Sequence, residues 1–287
     1  MILDSSSVQP VGQQNILTLV AALSCEVKPI IDSLRLMKVC DKPFTLFRGQ
    51  VNSQLIEVLV SGIGALAMAA AVGWIGGQRP QQKRVWLNIG SAGHGSARLG
   101  SAYRIHASAC ILSERTHYPA MVAKTVLATD AVLSVDAPSG DYPDIRCIDM
   151  EAYAFFTAAY KFSSAELVES IKVVTDNPDN DLADLNAAKI SELIAPHAES
   201  ALSLGCALLA LLPTISNSVE LEIPELRATH SQIQQVSVLI AKLTAANAVD
   251  DQLKSAVQRV ESIGELLTLV NQALLAVEPE IKTADHD

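Results

Sequence analysis

Apolar residues fall in two patterns along this chain. From residue 16 to residue 212 they come as short, nearly unbroken runs separated by stretches with helical spacing; beyond residue 213 they recur only at wider intervals. The run 16–23 (ILTLVAAL) has the composition of a strand covered on both faces. Residues 27–36 follow with helical spacing. Residues 44–51 and 55–60 read as two strands joined by a turn at Asn52 and Ser53. The segment SGIG (61–64) then opens an Ala-rich helix over 65–75, closed by Gly76 and Gly77. Residues 85–89 predict a fourth strand running straight into the turn-like GSAGHG (90–95), and 102–112 a fifth. The pattern weakens over 113–144, a polar stretch holding Pro119, Pro138, Gly140 and Pro143. Residues 145–148 predict a short strand, 152–160 a helix, 171–174 a further buried strand ending at Thr175 and Asp176, and 185–212 a long helix. Alternating buried strands and helices predict an α/β domain over 16–213, its sheet mostly parallel and covered on both faces. Residues 1–15, rich in Ser and Gln, are expected to form a flexible head.

Beyond residue 213 the composition changes. Residues 214–287 hold no Phe, Trp or Tyr, one Gly, and five Lys/Arg against eleven Asp/Glu, so this segment carries −6 of the chain's net −10. Apolar positions at Leu226, Ile233, Val236, Ile240 and Leu243, then at Leu253, Val257, Val260, Leu267, Val270 and Leu274, describe two amphipathic helices with a break near 247–251. A helical hairpin extension over 214–287 is expected. Narrow-striped helices without aromatics are marginal alone, so the stripe must be covered. Either the two helices close on each other and dock on the α/β domain, or they pair with a second subunit; the second is expected here.

Composition narrows the function classes. The chain has 287 residues, 49% of them apolar and 18% charged, enough for a large core and too apolar for general disorder. A pI of about 5.1 argues against nucleic acid or an anionic membrane surface as the main partner, since either needs a basic face. The five scattered cysteines (Cys25, Cys40, Cys110, Cys147, Cys206) form no CxxC or Cys/His cluster. That points away from a disulfide framework or a zinc site and towards reduced thiols in the cytoplasm. The longest apolar stretches, 65–77 and 201–212, fall short of the ~20 residues that span a bilayer, and residues 1–14 lack the basic start of a secretory signal.

Four short segments lie at the ends of predicted strands, where open α/β sheets place their ligands. They are LSCEV (23–27), VSGIG (60–64), NIGSAG (88–93), and the pair IDMEA (148–152) with VVTD (173–176). Singly, each is also what a helix cap or a tight turn shows. In this order and strand context they resemble the superfamily of purine nucleoside and uridine phosphorylases, and within it most closely the 5′-methylthioadenosine/S-adenosylhomocysteine nucleosidases. The resemblance spans roughly residues 16–212 and does not reach the tail. It implies a three-layer α/β fold with a central mixed β-sheet flanked by helices. It also implies an enzyme that hydrolyses the N-glycosidic bond of a purine nucleoside to free base and ribosyl product, with no cofactor and no metal.

Cleaving that bond builds positive charge on the ribose and pushes electrons into the base. The site must protonate the purine, stabilise an oxocarbenium-like sugar and activate a water on the opposite face. By the resemblance, Asp176 takes the place of the general acid that protonates N7, and burial at a strand end would favour its neutral form. Thr175 keeps a hydroxyl where Ser is usual. Glu26 takes the place of the carboxylate that activates water, and Glu151 that of the carboxylate receiving the ribose hydroxyls, with Met150 packing beside the sugar. Ser91 matches the serine beside water and ribose, with Gly93 in the same substrate-binding turn. Lys172 replaces an Arg that helps hold the water, keeping the charge but losing the planar fork. Val132, in ATDAVL (128–133), stands where an aromatic would stack on the base, with Asp130 in place. His94 interrupts the usual Gly pair after GSAG and is expected to face solvent on a loop. The stretch 107–128 is much shorter than its counterpart, which supplies part of the base pocket and a loop to the neighbouring subunit.

Two alternatives share these residues. A phosphate-dependent phosphorylase would need arginines cradling the phosphate, and only Arg98 lies near GSAG. A catalytically weakened nucleoside-binding or assembly protein would have the tail as its functional element. The expected partners are a small-molecule nucleoside and further copies of the chain, as a homodimer or higher homo-oligomer formed through 214–287. Nucleic acid and membrane are not expected.

Overall fold

All nine residues of VESIKVVTD (Val168–Asp176) are buried, charges included, because this strand has a neighbour on each edge and helices over both faces. The computed structural model describes residues 2–3, 15–51, 54–79, 82–138, 142, 146–180, 185–212, 221, 223–245 and 248–277. The chain divides into two compact units, Gln13–Thr214 and the combination of Met1–Gly12 with Ile215–Asp287.

The chain opens with a two-residue strand of the smaller unit, β1 (Ile2–Leu3). The larger unit follows as β2 (Ile16–Ala21), α1 (Ser24–Leu34), β3 (Met37–Cys40), β4 (Thr45–Val51), β5 (Gln54–Val60), α2 (Ala65–Gln78) and β6 (Arg84–His94). It continues with β7 (Ala102–Cys110), β8 (Ser113–His117), β9 (Ala128–Ser134), β10 (Cys147–Asp149), α3 (Ala152–Ala159), β11 (Val168–Asp176), α4 (Ala187–Ile194) and α5 (Ala198–Leu209). These strands form one mixed sheet in the order β10-β9-β7-β11-β6-β2-β5-β4-β3, with β8 hung on β7 and β10 also pairing with β6. Strands β5, β2, β6 and β11 run parallel, so their carboxyl ends share one edge. One face buries Leu17, Leu19, Leu87, Ile89 and Ile171 against Val27 and Ile30 of α1, Ile190 of α4 and Leu204 and Leu208 of α5. The other buries Val20, Leu59 and Trp86 against Met68 and Val72 of α2 and Phe155 and Phe156 of α3. This is the expected three-layer arrangement.

Several elements differ from the pattern-based expectation, each for a local reason. GSAGH does not turn after residue 89. It continues β6 to His94, because β11 pairs along it as far as Gly93 and β10 takes its other edge through Gly93 and His94. β11 likewise begins at Val168, three residues early. The charge of Glu169 masks that start in the sequence, yet Glu169 has a buried partner in Arg104. The polar stretch 113–144 holds two strands, β8 and β9. The long helix expected over 185–212 is divided at Pro196, where a 3₁₀ turn (Ala195–His197) separates α4 from α5. The turn expected at Asn52 and Ser53 lies outside the described residues, as does most of the head.

The head and tail also depart from expectation. Instead of remaining free, Ile2 and Leu3 pair antiparallel with Arg227 and Leu226 of β12 (Leu226–Arg227). The tail forms three helices where two were expected: α6 (His230–Ala245), α7 (Asp251–Val257) and α8 (Ile263–Leu275). Asp250 caps α7 by accepting from Leu253 N at 2.7 Å, and Ser262 starts α8 by accepting from Glu265 N. The stripe positions Leu226, Ile233, Val236, Leu243, Leu253, Val257 and Val270 are buried in one cluster with Leu266. These positions are thus covered within the unit itself.

Two buried glutamates, paired with three arginines, pin the sheet away from its carboxyl edge. Arg84 and Arg48 both bind Glu57, whose pKa ends below its ordinary value: burial raises it, but the two guanidiniums outweigh burial. Arg104 alone holds Glu169, with a further bond from its Nη1 to Ala123 O at 2.7 Å, and there burial wins and the pKa is raised. Removing one partner of a buried pair leaves an uncompensated charge, at about 3–5 kcal/mol. Arg104→Ala should therefore lose about that much stability in urea denaturation. A loss under about 1 kcal/mol would show that Glu169 takes up a proton or water instead.

Candidate functional site

The parallel strands deliver their motifs to one edge of the sheet, at the carboxyl end. Glu26 lies in the first turn of α1, just past β2, and is buried. Its Oε2 accepts from Leu23 N at 2.8 Å, closing the helix start, while its Oε1 accepts from Ser91 N at 2.8 Å and Ser91 Oγ at 2.7 Å. Helix cap and site carboxylate are here one residue.

Lys172 lies opposite Gly90 in the β11–β6 register and is fully buried. Its Nζ binds Asp149 Oδ2 at 2.7 Å. A Cβ at position 90 would fall 3.1 Å from this Nζ and 3.3 Å from Glu26 Oε1, so glycine lets the lysine and the glutamate meet across the strand. Burial alone would lower the pKa of Lys172. The carboxylates of Asp149, Glu151 and Glu26 outweigh that and raise its pKa.

Asp149, at the end of β10, is held by Ser134 Oγ at 2.6 Å and by Ala152 N at 2.8 Å besides the lysine. Two residues on, Glu151 Oε1 accepts from Gly64 N at 2.7 Å, at the start of α2. Gly64 has φ +97°, a conformation reserved in practice for glycine, and that turn aims the N–H outward. Burial raises the pKa of Glu151. Lys172 and the Gly64 N–H oppose this, and the neighbouring Asp149 and Glu26 add to it. Met150, between the two acids, is half-buried.

Asp176 closes β11 and lies opposite Gly93. Thr175 Oγ1 donates to its Oδ1 at 3.0 Å, and the Tyr142 hydroxyl donates to its Oδ2. A Cβ at Gly93 would fall 2.5 Å from Asp176 Oδ2 and 2.6 Å from Tyr142 Cε1, so here too glycine permits the approach.

Of the expected site residues, Glu26, Ser91, Lys172 and Glu151 thus join one buried cluster, while Gly93, Thr175 and Asp176 meet a few residues further along the same strands. Val132 is different. It is fully buried in the core cluster with Ile105, Cys147 and Phe155, and presents no surface for a ligand. His94 does not face solvent: it is buried, with Nε2 3.1 Å from Asp130 Oδ2 and Nδ1 accepting from Ser96 N and Ala97 N. The strand extension that makes GSAGH part of β6 turns it inward. Asp130 is occupied by this histidine and by Cys147. Sequence reasoning misses Asp149, Gly64 and Tyr142. Asp149 and Gly64 lie inside quoted motifs, where an acid on a buried strand end and a second glycine before a helix were available signals. Tyr142 sits in a stretch rich in Pro and Gly and gives none.

Solved structures share this architecture. Over 68% of this chain and 98% of its own, the Neisseria meningitidis 5′-methylthioadenosine/S-adenosylhomocysteine nucleosidase in complex with methylthio-immucillin-A superposes with a TM-score of 0.53 at 14% identity. The Arabidopsis thaliana 5′-methylthioadenosine nucleosidase does so over 70% and 100% with 0.55 at 17%, and the Chlamydia trachomatis protein over 68% and 100% with 0.55 at 19%. The larger unit has the nucleosidase fold. No protein-family model matches the chain, and no curated protein does. Within this nucleosidase fold the chain's own acids gather at the carboxyl edge of the sheet.

The raised pKa of Glu151 fixes the sign of a pH effect. A carboxyl whose pKa rises on folding favours the folded state while protonated, and that contribution is lost as pH climbs through the folded value. Glu151→Gln keeps an oxygen for the Gly64 N–H and removes the charge. Its melting temperature should exceed that of the unaltered protein at pH 8, and the difference should vanish as pH falls to about 4, the range of an unfolded Glu. Thermal melts across that range check it. A lower melting temperature at pH 8 would mean that pairing with Lys172 outweighs burial.

Proposed function

We propose that the larger unit is a nucleosidase that hydrolyses the N-glycosidic bond of purine nucleosides of the 5′-methylthioadenosine/S-adenosylhomocysteine type. The observation that carries this reading is that Glu26, Glu151 and Asp176, from three separate segments, are all buried at one edge of a nucleosidase-type sheet. The ligands of solved neighbours, methylthio-immucillin-A and adenine, support the substrate class.

In this reading Asp176 gives its proton to N7, and the electrons of the breaking C1′–N9 bond pass into the base. Glu151 receives the ribose hydroxyls, with Met150 beside the sugar. Glu26 has one oxygen saturated by Ser91 and the other bound once, by Leu23 N, which leaves an acceptor site for a water. Glu26 takes that water's proton as its oxygen attacks C1′. Thr175 orients Asp176, and Lys172 keeps the acids together. Three carboxylates about one ammonium leave the cluster net negative, which suits a sugar that becomes positive in the transition state.

Water is favoured over phosphate by two contacts. The start of α2, where backbone N–H groups could receive a phosphate, holds the Glu151 carboxylate. The buried ammonium of Lys172 is engaged by Asp149.

Incubating the protein with a nucleoside panel, with and without phosphate, tests the reading. Free base and the free ribosyl product, which keeps its 5′ substituent, should appear at a rate independent of phosphate. Ribose 1-phosphate as the main product would replace it with a phosphorylase, and binding without turnover with a weakened nucleoside-binding protein. On the best substrate, Asp176→Asn should lower kcat by ~10²–10⁴-fold. A variant keeping more than half the rate would remove Asp176 as the acid.

A further inference from the structure

Tyr142 is the aromatic residue that the sequence motifs do not announce. Its hydroxyl donates to Asp176 Oδ2, and its ring edge lies against Gly93 so closely that any side chain there would collide with it. The two oxygens of Asp176 are not equivalent. Oδ1 is taken by Thr175, the preceding residue, itself buried. Oδ2 is the oxygen that lies over Gly93 and meets the phenol. A purine nitrogen protonated by Asp176 must come within about 3 Å of a carboxyl oxygen, and the ring carrying that nitrogen must extend away from it. A phenol bonded to Oδ2 fills that position and that direction. The residue at the stacking position, Val132, is sealed in the core and leaves no platform there.

From this geometry we propose that Tyr142 is an internal competitor for the base: its phenol occupies the base end of the site in the free protein, and a nucleoside binds only by displacing it from Asp176. The inference rests on the nucleosidase reading and deepens it. Tyr142 becomes the residue that sets which bases bind, because a ligand must repay both the phenol's hydrogen bond and its ring contact. Small or weakly stacking bases repay least, so the phenol selects for a full purine over a pyrimidine.

The test uses the full chain with adenine as the binding probe, by calorimetry, and the nucleoside panel for turnover. Tyr142→Phe removes the bond to Asp176 and keeps the ring. It should tighten adenine by about fivefold, the usual worth of one net hydrogen bond, and lower the nucleoside KM to match. Tyr142→Ala also frees the space of the ring and should tighten adenine further, while narrowing the preference for purine over pyrimidine nucleosides. Adenine binding that weakens in Tyr142→Phe, or stays within twofold in both variants, overturns the competitor role. The two readings fail separately. Tighter adenine binding without turnover of any nucleoside keeps this inference and removes the hydrolase; turnover with unchanged KM and adenine affinity does the reverse. Adenine binding to none of the three proteins overturns the competitor role, and the panel alone then decides the hydrolase.

Discussion

Lys172 is an ammonium with no access to water, and the carboxyl edge of the sheet depends on it. Three acids converge there from the start of α1, the end of β10 and the entry to α3, and in a medium of low dielectric they would drive one another apart. The lysine pays for that convergence by binding Asp149 directly and acting on Glu26 and Glu151 through space. The strand register makes this possible. Lys172 reaches the cluster only because its partner across β6 is Gly90, and a methyl group there would press on both the ammonium and the Glu26 carboxylate. A backbone constraint on β6 and an electrostatic constraint on β11 are thus satisfied by the same pair of residues.

The buried acids of the sheet form a series in how far they are compensated. Glu57 has two guanidiniums and its pKa falls despite burial; Glu169 has one and its pKa rises. Glu151 has no cation of its own, sharing Lys172 with two other acids, and its pKa also rises. The first two lie in the body of the sheet, where a balanced charge fixes strand positions. The last lies at the carboxyl edge of the sheet, where undercompensation leaves an acid able to gain from a further donor or a positive centre.

The sequence makes the sheet legible where apolar residues dominate a strand and fails where a charge falls near a strand end or the pairing depends on a distant partner. β2 is plain because every residue is apolar or small, and β5 and the first half of β6 stay readable because Glu57 and Asn88 stand singly among apolar neighbours. β11 is shortened in the pattern because Glu169, near its start, looks like a solvent-facing position, and nothing local reveals Arg104 as its partner. GSAGH has the composition of a turn. It remains a strand only because β10, more than fifty residues later, supplies hydrogen bonds to its second edge. The expected acids are legible for a related reason: each follows a readable strand directly, so its place at the sheet edge comes with the strand. Tyr142 follows no readable element, and the inward turn of His94 depends on the β10 pairing, so neither position could be read locally. In the tail the stripe is legible, but its cover is not: spacing shows that a face is apolar and leaves open whether the chain itself will bury it.

Glu26 shows why a cap and a site residue need not be rival readings of one carboxylate. An acid at the third position of a helix commonly reaches back to the first N–H, and this one does, at 2.8 Å from Leu23 N. That bond fixes one oxygen and so fixes the plane of the carboxylate. With the plane set, the other oxygen is presented to Ser91, whose N–H and hydroxyl both bind it. The side chain is then held from two elements, α1 and β6, and its remaining acceptor direction is determined by them rather than by its own rotamers. Local helix chemistry therefore does part of the work of preorganisation. An acid without the cap would have to give up rotational freedom at the moment of binding a water or a ligand, whereas here that freedom is already lost on folding.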